Sequence, residues 1–195
     1  MIPVEAFATE TVVTDASGSS AYCDWKYTAS TNTLYVNTDG ILDGSAINSL
    51  PTYYTDGGEI FEYYNIQNIN VVIGKDITKI TDETWIDVNG ETVATITFEE
   101  GSKLEYLGTT VCAYSLIEAI ELPDSLKFIG GFQFSDCKKL TSITIPSGVA
   151  TIGQSLFYHC TSLKEAVIDA PITTVPCETF RYCTALTSVK LPASV

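Results

Sequence analysis

A period of 23 residues in the second half of the chain restricts the fold more than any other feature. From residue 140, two stretches align without a gap, LTSITIPSGVATIGQSLFYHCTS and LKEAVIDAPITTVPCETFRYCTA, and a third copy begins at LTSVKLPASV. Three columns keep this step, namely Leu140/Leu163/Leu186, Phe134/Phe157/Phe180 and Cys137/Cys160/Cys183. Independent columns with one period indicate a repeat architecture in which each unit stacks on the next.

Each repeat has the pattern of a short strand followed by a turn. Leu140, Ile143 and Ile145 flank Ser142 and Thr144, which is the alternation of a strand with one buried face. A Pro-Ser-Gly turn follows. One unit cannot bury its apolar column alone, so we expect stacked coils whose strands lie about 4.8 Å apart. Earlier copies lie at 116–139, with one extra residue near the start, and at 93–115, with altered spacing; a stub lies at 68–85.

The segment LTSITIPSGVATIGQSLFYHCTSL resembles the leucine-rich repeat of the BspA type, also called the Treponema pallidum type. That repeat runs as Leu-x-x-Ile-x-Ile-Pro with a later Ile-Gly and Phe-x-x-Cys-x-x-Leu. The resemblance implies a β-rich α/β repeat fold, a right-handed leucine-rich-repeat solenoid with short strands on one face. The upstream CDWKYTASTNTLYVNTDGILDG resembles a small β-hairpin cap, and its alternation supports a hairpin independently. We expect a flexible leader at 1–20, an N-terminal cap at 21–67 and repeats at 68–195, about five plus a truncated sixth.

The resemblance also implies a function. Similar proteins are mostly surface or secreted proteins of host-associated bacteria and some parasitic protists, and they are associated with adhesion. The resemblance therefore implies a non-enzymatic binding or adhesion scaffold that is extracellular or at the cell surface. Its expected partners are host matrix proteins or other cell-surface proteins. MIPVEAFATE lacks a signal-peptide pattern, so we expect a leader to have been removed. Val195 aligns with Val149, in mid-repeat, so either the native chain continues or this end is capped by self-association, and we expect the chain to continue.

The outward strand positions are the candidate partner-binding face, because a solenoid holds partners on such a surface. This face is mixed and has no aromatic anchors in the alignment. Its members are Asn70, Val72, Thr95, Thr97, Ala119, Glu121, Ser142, Thr144, Glu165, Val167, Ser188 and Lys190.

A glycan-binding surface protein is the alternative, working through a tyrosine-rich cap. Seven of the eleven tyrosines lie between residues 22 and 64. Some of them are a candidate aromatic patch for a protein or a glycan, namely Tyr53, Tyr54, Tyr63 and Tyr64. The other interpretation is that these rings pack along the edge of the cap.

The adjacent pair His159–Cys160 raises the question of a nucleophile beside its base. The three aligned cysteines are preceded by different residues, Asp136, His159 and Tyr182, which indicates a structural cysteine. We therefore predict a ladder of free buried thiols at Cys137, Cys160 and Cys183, because a small apolar thiol suits a crowded column. The pairing of the remaining cysteines stays open.

Composition excludes several other functions. A net charge of −14 repels phosphate backbones, and no apolar run approaches the roughly 20 residues that span a bilayer, so neither nucleic-acid binding nor membrane insertion is predicted. The acidic stretches NTDG (37–40) and DGGE (56–59) favour turns over calcium loops. Glu118 and Glu121 imitate a glycosidase dyad, as pairs do in any chain with 24 acids. We predict no catalytic residue, metal or cofactor; an enzyme site on the cap or on missing domains is the remaining alternative.

Overall fold

The computed structural model describes the backbone of residues 16–19, 23–42, 53–56, 59–62, 68–82 and 93–195. Side chains are described for residues 23–42, 68–82 and 93–195. The strands are β1 Ala16–Ser19, β2 Asp24–Thr28, β3 Thr33–Asn37, β4 Gly40–Leu42, β5 Tyr53–Asp56, β6 Glu59–Glu62, β7 Ile69–Ile73, β8 Ile77–Ile80, β9 Val93–Phe98, β10 Tyr106–Leu107, β11 Phe128–Ile129, β12 Ser142–Ile145, β13 Thr151–Ile152, β14 Glu165–Ile168 and β15 Ser188–Lys190.

These strands stack as the coils of a β-rich solenoid, as the repeat predicts. On one side, β3, β7 and β9 pair in parallel, and so do β12, β14 and β15. On the other side, β4, β8, β10, β11 and β13 form a second parallel sheet. The apolar side chains of both sides meet between them in one cluster.

The predicted hairpin is present, and its second strand also belongs to the stack. β1, β2 and β3 pair antiparallel, with one 3-10 turn at Ala29–Thr31 between β2 and β3. Strand β3 then pairs in parallel with β7, and β4 pairs in parallel with β8. Residues 33–42 therefore stack on the coil at 69–80 as one coil stacks on another.

The returning half of each coil is built from turns. Phe132 and Asp136 have φ angles of 53° and 57°, and Ser155 and His159 repeat them one coil later with 55° and 60°. Alternate N–H groups point along the stack. Phe134 N–H, for example, donates to the carbonyl oxygen of Leu156 in the next coil at 2.9 Å. The backbone thus satisfies its hydrogen bonds between coils instead of within a helix.

Glycine in the Ile-Gly motif permits the close approach of these coils. A Cβ at Gly130 would collide with the backbone of Gly108 and Thr109, and a Cβ at Gly153 would collide with that of Gly130 and Gly131. A side chain at this column would force the coils apart.

One segment departs from the predicted pattern. The alignment predicts a strand through Ala119 and Glu121, but residues 117–123 form none. This repeat has one extra residue near its start, and the turn after β9 is two residues longer than in the later repeats. A shift of one residue changes which backbone groups of residues 117–123 face β9. The hydrogen-bond ladder between these two coils therefore ends at the bond that Leu116 N–H donates to Val93 O, at 2.8 Å. The strand side is therefore split into two sheets, with β9 and β12 at their edges.

Candidate functional site

The structure lines up most of the twelve predicted face positions through the register of the parallel strands. Asn70 pairs with Thr95, and Val72 pairs with Thr97. In the second sheet, Ser142, Glu165 and Ser188 form one row, and Thr144, Val167 and Lys190 form the next. We call these rows, with Ala119 and Glu121, the strand face. Nine of its members are exposed; Asn70, Val72 and Val167 are partly buried.

The strand face continues onto the hairpin, which the repeat alignment did not reveal. Tyr35 pairs with Val72 in parallel register, so both side chains lie on the same side of the sheet. The Tyr35 hydroxyl donates to Glu99 Oε2 at 3.0 Å, and burial, followed by the contact with Glu99, raises the pKa of this phenol. Tyr35 is thus an aromatic side chain, fixed by a hydrogen bond, at one end of a surface expected to have none.

Ion pairs at the edges of the strand face hold its charges in place. Lys190 Nζ lies 3.2 Å from Asp169 Oδ1, and Lys103 Nζ lies 2.6 Å from Asp76 Oδ1. The carboxylate of Glu99 accepts the backbone N–H of Lys75 at 2.9 Å, and this hydrogen bond lowers the pKa of Glu99. The carboxylate therefore stays ionised.

A groove lies where the ladder stops on this face. It has a volume of about 780 Å³ and is bounded by Thr95–Glu99 on one wall and Ala119–Ser125 on the other. We call it the split-sheet groove. The irregular repeat length was its only sequence signal.

The candidate aromatic patch falls outside the described side chains. Tyr53 and Tyr54 belong to strand β5, of which the backbone alone is described. Tyr63 and Tyr64 lie outside the described residues.

The thiols of the ladder form hydrogen bonds from each coil to the one before it. Cys137 and Cys160 are fully buried, and Cys183 at the last described coil is partly buried. The Cys160 thiol donates to the carbonyl oxygen of Phe134 at 2.9 Å, and the Cys183 thiol donates to that of Phe157 at 3.0 Å. Burial raises the pKa of both thiols. All six cysteines of the chain are free.

The histidine beside this ladder points away from the thiol. His159 Nδ1 lies 2.6 Å from Asp136 Oδ1, and the two side chains are 42% and 16% exposed. Because Cys160 is bonded to a backbone carbonyl inside the core, the arrangement contains no Cys–His pair. The alignment held this signal, since Asp136 and His159 occupy one column and stacking makes them neighbours.

An aromatic cluster surrounds this histidine on the returning turns, and the sequence analysis missed it. Tyr158 meets Tyr182 edge to face with ring centroids 5.4 Å apart, and His159 lies 6.1 Å from Tyr182. Arg181 lies over the Tyr182 ring and pairs with Glu178. Tyr158 and Tyr182 occupy adjacent columns of the repeat alignment rather than the same column. The residues with left-handed φ angles on the returning turns bring these side chains to the same side of the stack.

The described ranges contain neither a metal-binding cluster nor a membrane-spanning helix. Within them, no group of three or more His, Cys, Asp and Glu side chains is arranged to hold a metal ion. No helix among these same residues is long and apolar enough to cross a membrane.

Comparison with known proteins identifies the repeat. The model of the BspA type leucine-rich repeat region matches residues 105–195 in six copies. None of the curated proteins compared with the chain matches it significantly.

Similarity to a solved structure supports the fold. A leucine-rich repeat protein of T. pallidum superposes with a TM-score of 0.57 at 18% identity, over 91% of this chain and 84% of that one. The pneumococcal vaccine antigen PcpA gives a TM-score of 0.40 at 17% identity, over 93% and 71% of the two chains. A leucine-rich cell surface protein from Faecalibacterium prausnitzii gives 0.26 at 15% identity, over 80% and 55%.

Proposed function

We propose that this chain, whose residues 105–195 belong to the BspA-type leucine-rich-repeat family, is a non-enzymatic scaffold that binds host or microbial proteins through its strand face. The observation that carries the proposal is the register of the outward positions. Ser142, Glu165 and Ser188 occupy one row across three paired strands, and all three are exposed. Such rows repeat at about 4.8 Å and present a rigid array of side chains to a partner.

The chemistry of the strand face suits a protein partner. Hydroxyl, carboxylate, ammonium and aliphatic groups alternate along it, and polar groups next to apolar ones are typical of non-obligate interfaces. Tyr35 adds an aromatic ring at the hairpin end, and tyrosine is enriched among residues that dominate binding energy. Because the backbone beneath is paired into sheets, little conformational entropy is lost when a partner docks.

The chemistry of the thiols and the histidine supports a role without catalysis. A nucleophilic cysteine needs a lowered pKa and access to substrate. The thiol of Cys160 has a raised pKa, no exposed surface and a hydrogen bond to a backbone carbonyl. His159 is held by Asp136 rather than directed at a nucleophile.

The proposed location is the cell surface or the surrounding medium. Proteins with BspA-type repeats are typically surface-associated, and a scaffold that binds host or microbial proteins has to be exposed to them. The strong negative charge of −14 favours solubility and suppresses non-specific contact with anionic envelopes.

A paired-variant binding experiment tests the proposed function. The chain is titrated by surface plasmon resonance against a panel of purified extracellular-matrix proteins and against whole bacterial cells. The double variant Thr144→Arg with Val167→Arg places bulky side chains on two neighbouring strands and obstructs the docking of a partner on the strand face. We expect at least about a tenfold loss of affinity, the scale of a hot-spot change.

The matched control places the same side chains on the opposite sheet, as Ala150→Arg with Thr151→Arg, both of which are exposed positions. We expect this control to bind as the parent chain does. Equal losses in the two double variants, or binding to none of the proteins and cells in the panel, contradict a role for the strand face.

A further inference from the structure

We propose that the returning turns bind a linear, neutral glycan, which lies along the stack of coils. This site goes beyond the proposed function, because its residues lie on the turns rather than on the strand face and take a different class of ligand. The site has one position on each of four coils and two side chains beside them. Its members are Tyr114, Asp136, His159 and Tyr182, with Tyr158 and Arg181 alongside. We call these six residues the turn column.

The backbone places the first four members on successive coils in equivalent positions. Their φ angles are all left-handed, at 66°, 57°, 60° and 61° in chain order. The N–H of each of the first three donates to the carbonyl oxygen of the residue that precedes the next member, at 2.8, 2.9 and 2.8 Å. Equal conformation and equal stacking direct these side chains to the same side of the solenoid. Tyr114 belongs to this set although the spacing of its repeat is altered, so the structure was needed to place it.

The rings of the turn column are accessible to a ligand. Tyr114 and Tyr182 are 43% and 50% exposed. The Tyr182 ring stands at 85° to that of Tyr158 and at 77° to that of His159. In the buried phenylalanine column, by contrast, the rings stack at 13° and 19°. Parallel stacking covers the faces of neighbouring rings, whereas a steep angle leaves part of a ring face uncovered.

The charges at the turn column are balanced. Asp136 Oδ1 lies 2.6 Å from His159 Nδ1 and 3.9 Å from Lys138 Nζ, and the carboxylate of Glu178 pairs with Arg181. A ligand with a strong charge of either sign would compete with these pairs. A neutral ligand would not, and the carboxylates and the guanidinium keep lone pairs and N–H groups for further hydrogen bonds. Hydroxyl groups suit such a site, because they both donate and accept.

A pyranose sugar combines the two kinds of group that the turn column can hold. Its C–H groups pack on the face of an aromatic ring, and the hydroxyls at its rim form hydrogen bonds with charged side chains. Arg181 lies over the Tyr182 ring, which places N–H donors directly beside an aromatic surface. Aromatic rings with polar groups close by therefore favour a sugar over a purely apolar ligand.

The spacing of the coils gives the form of the glycan. Stacked coils repeat at about 4.8 Å, which is close to the advance of an extended glycan chain for each hexose unit. The four positions therefore span about 14 Å from the first to the last, with one position for each sugar of a tetrasaccharide. A straight chain keeps this register along the stack, whereas a curved chain loses it after the first units.

The test titrates the full chain with three straight, neutral tetrasaccharides in isothermal titration calorimetry, namely cellotetraose, chitotetraose and mannotetraose. We expect binding of at least one of them, with an affinity that rises from the disaccharide to the tetrasaccharide and then levels off. Maltotetraose, whose linkage curves the chain, should bind at least about tenfold more weakly. The affinity should change by less than about twofold between ~50 and ~500 mM salt, because the ligand carries no charge.

Matched variants of the protein locate the site. Tyr182→Ala removes an exposed ring of the turn column, and the core cluster does not contain this residue, so the variant is expected to fold. Tyr106→Ala removes a ring from the second parallel sheet, where it stacks on Phe128 at 2°. We expect at least about a tenfold loss of tetrasaccharide affinity for Y182A and a change within about twofold for Y106A. Tyr182→Phe keeps the ring and should retain the affinity within about twofold.

The outcomes separate this inference from the proposed function. Equal losses for Y182A and Y106A, no detectable binding of the three tetrasaccharides at millimolar concentration, or tighter binding of tetragalacturonate or tetramethylammonium than of any of them overturns the turn column. The double variant Thr144→Arg with Val167→Arg should bind the tetrasaccharide as the parent chain does. A loss in that variant would place the glycan on the strand face and contradict the turn column. The surface plasmon resonance comparison uses no glycan probe, so its result tests the strand face independently.

Discussion

Replacing Phe157 with alanine tests whether neighbouring coils supply the stability of the solenoid. Phe157 is fully buried, and its ring stacks between those of Phe134 and Phe180, with centroids 5.7 and 5.5 Å apart. Removing a buried phenylalanine side chain costs about 3–5 kcal/mol, since transfer free energy is lost and a cavity remains. Each of the two ring contacts contributes about 0.5–1.5 kcal/mol beyond the buried area.

Phe180 provides the matched control, because it occupies the same column one repeat later. It is only partly buried and stacks on a single ring, that of Phe157. One stacked ring instead of two, together with partial burial, reduces the cost of Phe180→Ala to roughly half, about 1.5–2.5 kcal/mol. The two substitutions remove the same atoms, so the difference of about 2 kcal/mol reports the neighbouring coil.

Urea unfolding followed by far-UV circular dichroism measures both free energies of unfolding. Domains of this kind have total stabilities of about 5–15 kcal/mol, so F157A is expected to retain a folded baseline. The m-value of each variant should match that of the parent, which shows that the change lies in stability rather than in the extent of unfolding. Equal losses for F157A and F180A would refute the argument that stability comes from stacking between coils.

Three further predictions test other contacts between or within the coils. Gly130→Ala places a methyl group against the backbone of the preceding coil and should destabilise the chain by about 1–3 kcal/mol in the same urea assay, whereas an unchanged midpoint would contradict the close approach. The pKa values of Cys112 and Cys160 are raised in the folded state, so their stabilising effect is complete below the unfolded pKa of about 8.5 and is lost as pH rises above it. Unfolding free energy should therefore fall between pH 9 and 10 by up to about 1.4 kcal/mol per thiol per pH unit, and Cys160→Ala should make the fall shallower. A double-mutant cycle with Asp136→Asn and His159→Gln should give a coupling below about 1 kcal/mol, because the pair is partly solvated; a value several times larger would indicate a buried network.

Much of the strand face could be predicted because the repeat carries its register. Once Leu140, Leu163 and Leu186 are aligned, the parallel pairing of Ser142 with Glu165 and of Glu165 with Ser188 follows from the constant step. Where the step changes, the prediction of a strand through Ala119 and Glu121 was wrong, although both residues are exposed.

The sequence by itself determined the solenoid, the inward columns and the outward rows, because each depends on a local period that every repeat restates. Only the tertiary structure decided that β3 joins the stack, that Tyr35 lies on the strand face and that a groove opens beside β9. These features depend on pairing between segments of unequal length. The number of residues between two strands is visible in the sequence, but the backbone groups that come to face each other are set by how the whole coil packs against its neighbours.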